Sequence, residues 1–336
     1  MERRRLGSTD LELTTIGLGT WVFGGRWGGA EDADSAAACH AALDAGVNWI
    51  DTADIYGQGR AEQIVGKVIR ERRDEVIVAT KGGVAWSFDD GALSIWREDS
   101  GDYLRMSLDR SLTALGLDHV DLYQVHWPID GSDPADTMRA LVDLKAAGKI
   151  REFGVSNYER PHLEAAHAAH PFASLQVGYH LFRDQIEAED LPWCAANDVG
   201  VLAYGPLGHG LFTGKMTAET TFAENDWRRT SEFFSDDAFA DRIAATKELE
   251  KVAADAGRPG GIAELATVWV LRRPEVASAI IGARNAEQAR ANAALAGRPL
   301  ADDEAAAIAD VLARHPLARR KYGHGEPPMR PATPAP

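Results

Sequence analysis

Cysteine is scarce. Cys39 and Cys194 are the only two among 336 residues, and they stand far apart without metal-ligand spacing. That excludes a disulfide framework and leaves a structural zinc site without support. Positive charge is in deficit: 36 Lys and Arg face 51 Asp and Glu, a formal net charge of −15. General nucleic-acid binding and docking on an anionic membrane are therefore excluded. No apolar run reaches the roughly 18 residues of a membrane span. The charged start Met1-Glu2-Arg3-Arg4-Arg5 leads into no apolar stretch of the kind a secretory signal needs. The expected compartment is the cytoplasm, with neither a metal ion nor an obligate protein partner. A third glycine is also missing after the first apolar run. Gly17-Leu18-Gly19 is followed by Thr20-Trp21-Val22-Phe23, which argues against a doubly wound dinucleotide-binding sheet.

What is present is alternation. Short β-branched or apolar runs occupy residues 14–21, 47–53, 76–82, 120–126, 150–157, 175–180, 200–205 and 278–282. Alanine-rich stretches of helical spacing separate them, such as 34–45, 103–115, 136–147 and 160–169. Eight strand–helix units in series predict an α/β fold, a (β/α)₈ TIM barrel of parallel strands, with length to spare for insertions. Residues 4–6 and 11–13 read as an N-terminal β-hairpin able to plug the bottom of the barrel. Two extra helices, 239–256 and 261–272, are expected before the eighth strand, and a last one over 301–314. The expectation is one barrel domain over 1–314. The tail 315–336 carries six of the 15 prolines and is expected to be poorly ordered.

In such a barrel, function sits where strands end. Asp51, Lys81 and His126 each close an apolar run, and Tyr56 follows Asp51 in the next loop. A phenol is a poor acid at neutral pH, and burial makes it poorer; a lysine cation held by an aspartate is expected to offset that. A histidine can orient a carbonyl. Together they read as acid–base machinery for a carbonyl or alcohol. Glycine marks the seventh and eighth strand ends: Tyr204-Gly205-Pro206-Leu207-Gly208-His209-Gly210 and Gly282-Ala283-Arg284-Asn285. Glycine turns and a helix start after strands seven and eight favour a phosphate-bearing ligand. The run ending in Lys215 is no Walker A loop, because His209 and Met216 stand where Gly and Ser or Thr are required. His162, His167 and His170 share one helix without metal-ligand spacing. Trp227-Arg228-Arg229 is too small a basic spot for nucleic acid.

These stretches resemble the aldo-keto reductase family over nearly the whole chain to about Arg314. The carriers are Gly17-Leu18-Gly19-Thr20-Trp21, Asn48-Trp49-Ile50-Asp51-Thr52-Ala53-Asp54-Ile55-Tyr56-Gly57, Ala79-Thr80-Lys81, His126-Trp127-Pro128, Gly154-Val155-Ser156-Asn157, Ala203-Tyr204-Gly205-Pro206-Leu207 and Ile281-Gly282-Ala283-Arg284. Asp226-Trp227-Arg228 and the Gly282-Ala283-Arg284 turn look most like the bacterial general-stress and inositol-catabolism branch. The resemblance implies NADPH-dependent interconversion of carbonyls and alcohols, with a small carbonyl compound as substrate and direct transfer of hydride. It implies Asp51, Tyr56, Lys81 and His126 as the catalytic tetrad, Tyr56 as the acid. It implies Ser156, Asn157 and Gln176 on the nicotinamide carboxamide and Tyr204 stacked on the ring. Gly205, Pro206, Leu207, Gly208, Gly210, Lys215 and Arg228 would follow the pyrophosphate. Gly282, Ala283, Arg284, Gln288 and Asn292 would hold the adenosine end, with Gly19, Thr20 and Trp21 beside Asp51. Trp21, Trp86 and Trp127 are expected to line the substrate pocket. His209 stands where that branch often has Arg, and Ala291 where the family often has Glu. Two other readings stay open: a Schiff-base aldolase using Lys81, and a non-enzymatic redox-sensing subunit.

Overall fold

The structure is a computed structural model that describes residues 1–25, 31–89, 92–224, 226–235, 237–322 and 327–329. A short hairpin opens the chain, β1 (Arg3–Arg5) with β2 (Glu12–Thr14). The barrel follows as β3 (Ile16–Gly19), β4 (Trp49–Asp51), β5 (Ile77–Gly82), then a second hairpin β6 (Val84–Asp89) and β7 (Ala92–Arg97), and then β8 (Val120–Val125), β9 (Ile150–Ser156), β10 (Ser174–Gly178), β11 (Gly200–Tyr204) and β12 (Val276–Gly282). Eight parallel strands close in the order β3-β4-β5-β8-β9-β10-β11-β12, with β12 pairing back onto β3. Their residues are buried almost throughout, as parallel strands sheathed by helices must be; all six of β8 are buried.

The sheath is α1 (Asp32–Asp44), α2 (Arg60–Ile69), α3 (Gly101–Leu115), α4 (Pro134–Ala146), α5 (Arg160–Ala169), α6 (Asp190–Ala196), α7 (Glu232–Ser235), α8 (Phe239–Asp255), α9 (Gly261–Leu271), α10 (Ala286–Ala293) and α11 (Asp302–Arg314). Local chemistry sets their ends. Asp133 accepts a hydrogen bond from the Ala135 amide ahead of Pro134, which starts α4. Gly116, at φ +69°, stops α3.

The first hairpin does plug the barrel. Leu6, Leu11 and Leu13 pack with Trp49, Leu122, Leu202 and Ile280 in one buried cluster. The Trp49 indole N–H donates to Thr14 O at 3.2 Å and to Ser278 Oγ at 3.0 Å. Both extra helices precede β12 as expected.

Three expectations need correction. Residues 14–21 do not form one strand: β3 ends at Gly19, and Trp21 begins a 3₁₀ turn, Trp21–Gly24, that aims its ring over the barrel mouth. The β6–β7 hairpin interrupts the regular alternation. The tail is not loose from residue 315. Residues Pro316–Arg319 form a 3₁₀ turn, and Tyr322 is buried with its hydroxyl 2.8 Å from His180 Nε2. Further on, the Arg97 amide donates to Pro328 O at 2.9 Å. Aromatic and backbone contacts with the barrel fix these segments despite a composition typical of disorder. The remainder of the expected loose tail, 323–326 and 330–336, lies outside the described residues.

Candidate active site

Strand register brings the polar strand ends to one level. Asp51 on β4 lies opposite Gly19 and Ala79, Lys81 on β5 opposite Gln124, and Gln176 on β10 opposite Ser156. Above them opens a cavity of about 650 Å³ at the C-terminal face.

Its floor is a chain of short contacts. Lys81 is fully buried; its Nζ donates to Asp51 Oδ2 at 2.7 Å, to Thr52 O at 2.9 Å and to Tyr56 OH at 3.4 Å. Gln176 Nε2 donates to the other Asp51 oxygen at 2.8 Å. The Tyr56 and His126 rings meet edge to face at 5.8 Å. The four residues expected to carry the chemistry are thus brought together.

Electrostatics run partly against expectation. Burial, then the Asp51, Tyr204 and Asp54 charges, hold the Tyr56 hydroxyl well above its ordinary value. The rise with burial is as expected; an offset by Lys81 is not among its causes. Burial also lowers Lys81, against the pull of Asp51. His126 is pushed well below the usual imidazole value by burial and then by Lys81, and its Nδ1 has no hydrogen-bond partner among the described residues. The arrangement therefore presents a neutral imidazole and an intact phenol to whatever fills the cavity.

Behind this floor lies a group that sequence reading missed. Asp54 is buried; its Oδ2 accepts from Ser107 Oγ at 2.5 Å and its Oδ1 has no partner among the described residues. Burial and then the neighbouring Glu62 raise it to about 8. The unfolded value is near 3.9, so the folded state holds a proton the unfolded state releases. That stability is complete below about pH 4 and is lost as pH rises through about 8. Asp54→Asn is expected to flatten the fall in melting temperature between pH 5 and pH 9 (by thermal melts), and an unchanged fall would assign the titration elsewhere.

Most expected cofactor residues line the cavity: Gly19, Trp21, Asp51, Ser156, Asn157, Gln176, Tyr204, Gly205, Pro206, Leu207, Gly210, Lys215, Arg228, Gly282, Arg284, Gln288 and Asn292. Thr20, Gly208 and Ala283 do not. Thr20 is buried and its Oγ1 donates to Asp51 O at 3.0 Å, so it braces the floor. Gly208 and Ala283 are buried beneath the two glycine turns. Trp86 is a further correction. It lies in a separate groove between α2 and α3, under the Arg110 guanidinium at 4.4 Å, because the β6–β7 hairpin carries it outside the barrel mouth. Trp21 and Trp127 do reach the cavity.

The wall offers what a dinucleotide needs. Gly210 has φ +101°, and a Cβ there would lie 3.2 Å from Met216 Cε and 3.3 Å from Arg228 Nη1. The backbone is bare at a cationic wall, where phosphate oxygens approach amides closely. Arg228 is tied to Asp226 at 2.6 Å, a partner that sequence reading did not foresee. Asn285 caps α10 through the Gln288 amide at 2.9 Å; the Arg284 amide donates to Gln288 Oε1 at 2.9 Å, and Asn292 Nδ2 to Gly282 O at 3.0 Å. Gln288 and Asn292 thus brace the turn that presents Arg284. His209 also joins the wall, its ring 4.9 Å from Trp227 and 6.4 Å from Trp21. The sequence marked His209 only as a departure from the Arg that the resembling branch often has there, not as a wall residue. Among the described residues no cluster of His, Cys, Asp or Glu could hold a metal ion, and no helix is long and apolar enough to cross a membrane.

The barrel and its mouth define an oxidoreductase of the class that binds a nicotinamide cofactor. The Aldo/keto reductase family model matches residues 15–313, and the chain belongs to that family. It is 37% identical over 316 residues to the aldo-keto reductase YhdN of Bacillus subtilis (strain 168), covering 93% of this chain and 94% of that one. It is 31% identical over 326 residues to the NADH-specific methylglyoxal reductase of Escherichia coli (strain K12), covering 93% and 98%. The structure of the glycerol dehydrogenase AKR11B4 from Gluconobacter oxydans superposes with a TM-score of 0.86 at 36% identity, covering 96% of this chain and 98% of that one.

Proposed function

We propose that the protein reduces an aldehyde or ketone to an alcohol, reversibly, with NADP(H). The observation that carries this reading is the contact of the buried Lys81 ammonium with both the Asp51 carboxylate and the Tyr56 hydroxyl, at 2.7 and 3.4 Å, on the cavity floor. The dinucleotide, when bound, supplies or takes up hydride at the reacting carbon. Tyr56 gives its proton to the oxygen that becomes the alcohol. The Lys81 cation then stabilises the phenolate left behind, and Asp51 holds the lysine in place. Neutral His126 donates a hydrogen bond to the same oxygen. Ser156, Asn157 and Gln176 are suited to the carboxamide, and Tyr204 to the face of the ring. The Schiff-base alternative has less support, because Lys81 Nζ is desolvated beneath the floor and already has three oxygen partners. The redox-sensing alternative predicts no turnover of simple aldehydes.

NADPH is favoured over NADH by Arg284 at the start of α10, where the helix N-terminus also attracts an anion. The Escherichia coli relative shows that the family does not impose this choice. An NADH site more often sets a carboxylate against the ribose hydroxyl. Asp226 is close enough to Arg284 to feel its charge, but Arg228 engages both its oxygens, at 3.0 and 2.6 Å. Arg284→Ala is expected to lose about 1.5–3 kcal/mol of NADPH affinity, the worth of a hydrogen bond to a charged group, and little NADH affinity. Fluorescence titration of both cofactors decides it: equal losses would remove Arg284 from the 2′-phosphate.

A further inference from the structure

The cavity wall holds a second kind of cation, placed apart from the turn that presents Arg284. Arg183 follows β10 and lines the cavity. No Asp or Glu among the described residues pairs with it. Its neighbour in sequence, Asp184, is held instead by Arg319 at 2.5 Å. What meets the Arg183 guanidinium is neutral: its Nη1 donates to the Tyr204 hydroxyl at 3.4 Å, and the buried Tyr322 phenol stands beside it. The nearby His209 imidazole is pushed down to about 3, first by burial and then by Arg183 and Arg228. The other cavity arginine on this side of the wall, Arg228, already has a carboxylate.

The position is built into the backbone. A Cβ on Gly178 would lie 2.3 Å from Arg183 Nη1, so only glycine at the end of β10 lets the guanidinium cross to Tyr204. From there the contacts lead to the reacting end of the cavity. Tyr204 OH donates to Asn157 Oδ1 at 2.8 Å, and Asn157 Nδ2 donates to His126 O at 3.0 Å. In a chain carrying a net −15, a half-buried guanidinium whose direct partners are phenols, with Asp190 acting on it only through space, keeps its charge available to a ligand in the cavity. A bound ligand can meet that charge through the paired donors that suit a planar oxyanion.

We propose that Arg183 is an oxyanion subsite for the substrate, so that the preferred carbonyl compounds carry a carboxylate a few atoms from the reacting carbon. This rests on the reductase reading above. The same guanidinium chemistry would accept a phosphate of the dinucleotide, but its contacts run through Tyr204 and Asn157 to His126, at the reacting end of the cavity. The substrate is therefore the source the geometry favours.

The test uses the full chain with NADPH and two aldehydes of similar length, succinic semialdehyde and butanal, in wild type, Arg183→Gln and Arg183→Lys. The readouts are kcat/KM for each aldehyde and the NADPH Kd by fluorescence titration. Wild type is expected to favour succinic semialdehyde. Arg183→Gln is expected to lower the ratio of the two kcat/KM values about 10- to 100-fold, the loss of one charge-assisted hydrogen bond, and Arg183→Lys to restore part of it. A ratio within about 3-fold of wild type in Arg183→Gln would overturn the subsite, since Arg183 would then only position Tyr204. A weaker NADPH Kd with an unchanged ratio would overturn it in favour of the dinucleotide. Failure of wild type to turn over either aldehyde would remove the reductase reading and this inference with it. Turnover of both without preference would remove the inference alone.

Discussion

Tyr56→Phe is expected to lower kcat for carbonyl reduction by about 10²–10⁴-fold, the span of general acid catalysis, while leaving the NADPH Kd within about twofold of wild type. The substitution removes one oxygen and keeps the ring. The edge-to-face contact with His126 at 5.8 Å and the tilted contact with Trp21 at 6.5 Å survive, so the cavity should keep its shape. What disappears is the hydroxyl that Lys81 faces at 3.4 Å. Because burial holds that hydroxyl well above its ordinary value, the wild-type acid stays protonated across the working range. His126, held well below the usual imidazole value, stays neutral across it. The reduction profile of wild type is therefore expected to show no inflection from either group between about pH 6 and pH 9, judged against their unperturbed values. Steady-state kinetics and fluorescence titration check both statements. Retention of a tenth or more of wild-type kcat would take the proton-donor role from Tyr56.

The site and the fold were legible in the sequence to different depths. Parallel strands buried on both faces are near-continuously apolar, so a run such as Gly200–Tyr204 announces itself. Polar residues that end those runs fall at one level by register, which is why Asp51, Lys81 and His126 could be grouped without coordinates. The β6–β7 hairpin was not legible. Its exposure is graded, from buried Val84 and Ala85 at the base to an exposed tip with Phe88 at 62% and Leu93 at 41%, a pattern that neither a core strand nor a polar loop predicts. Trp86 was misplaced for the same reason. Tyr322 could not be read from a proline-rich tail, because its burial depends on partners such as His180, 142 residues away. How far burial outweighs the lysine at the Tyr56 hydroxyl could not be read, because desolvation is a property of the packed site and no spacing of residues reports it.

Lys81→Met is expected to damage activity and folding together, and a second substitution should separate the two. The lysine is fully buried against Asp51, which is itself only 3% exposed. Removing the cation leaves Asp51 with Gln176 as its remaining side-chain partner, at 2.8 Å. Breaking a buried pair by deleting one member typically costs about 3–5 kcal/mol, because the other charge stays desolvated. Urea unfolding should show a loss of that order in Lys81→Met. In Asp51→Asn/Lys81→Met both charges go, the volumes stay close, and the new side-chain amide at position 51 can still meet Gln176. Most of the stability should return. Activity should not. In the reducing direction both variants lack the cation that stabilises the phenolate as Tyr56 gives up its proton. In the oxidising direction Tyr56 must act as phenolate, and loss of the ammonium raises its pKa further. The rising limb of the oxidation profile is therefore expected to move to higher pH in Lys81→Met. An oxidation profile superimposable on wild type would show that Lys81 does not act on Tyr56 through charge. Full loss of stability in the double variant would show that the Asp51–Lys81 pair itself, and not relief of a stranded carboxylate, holds the barrel mouth together.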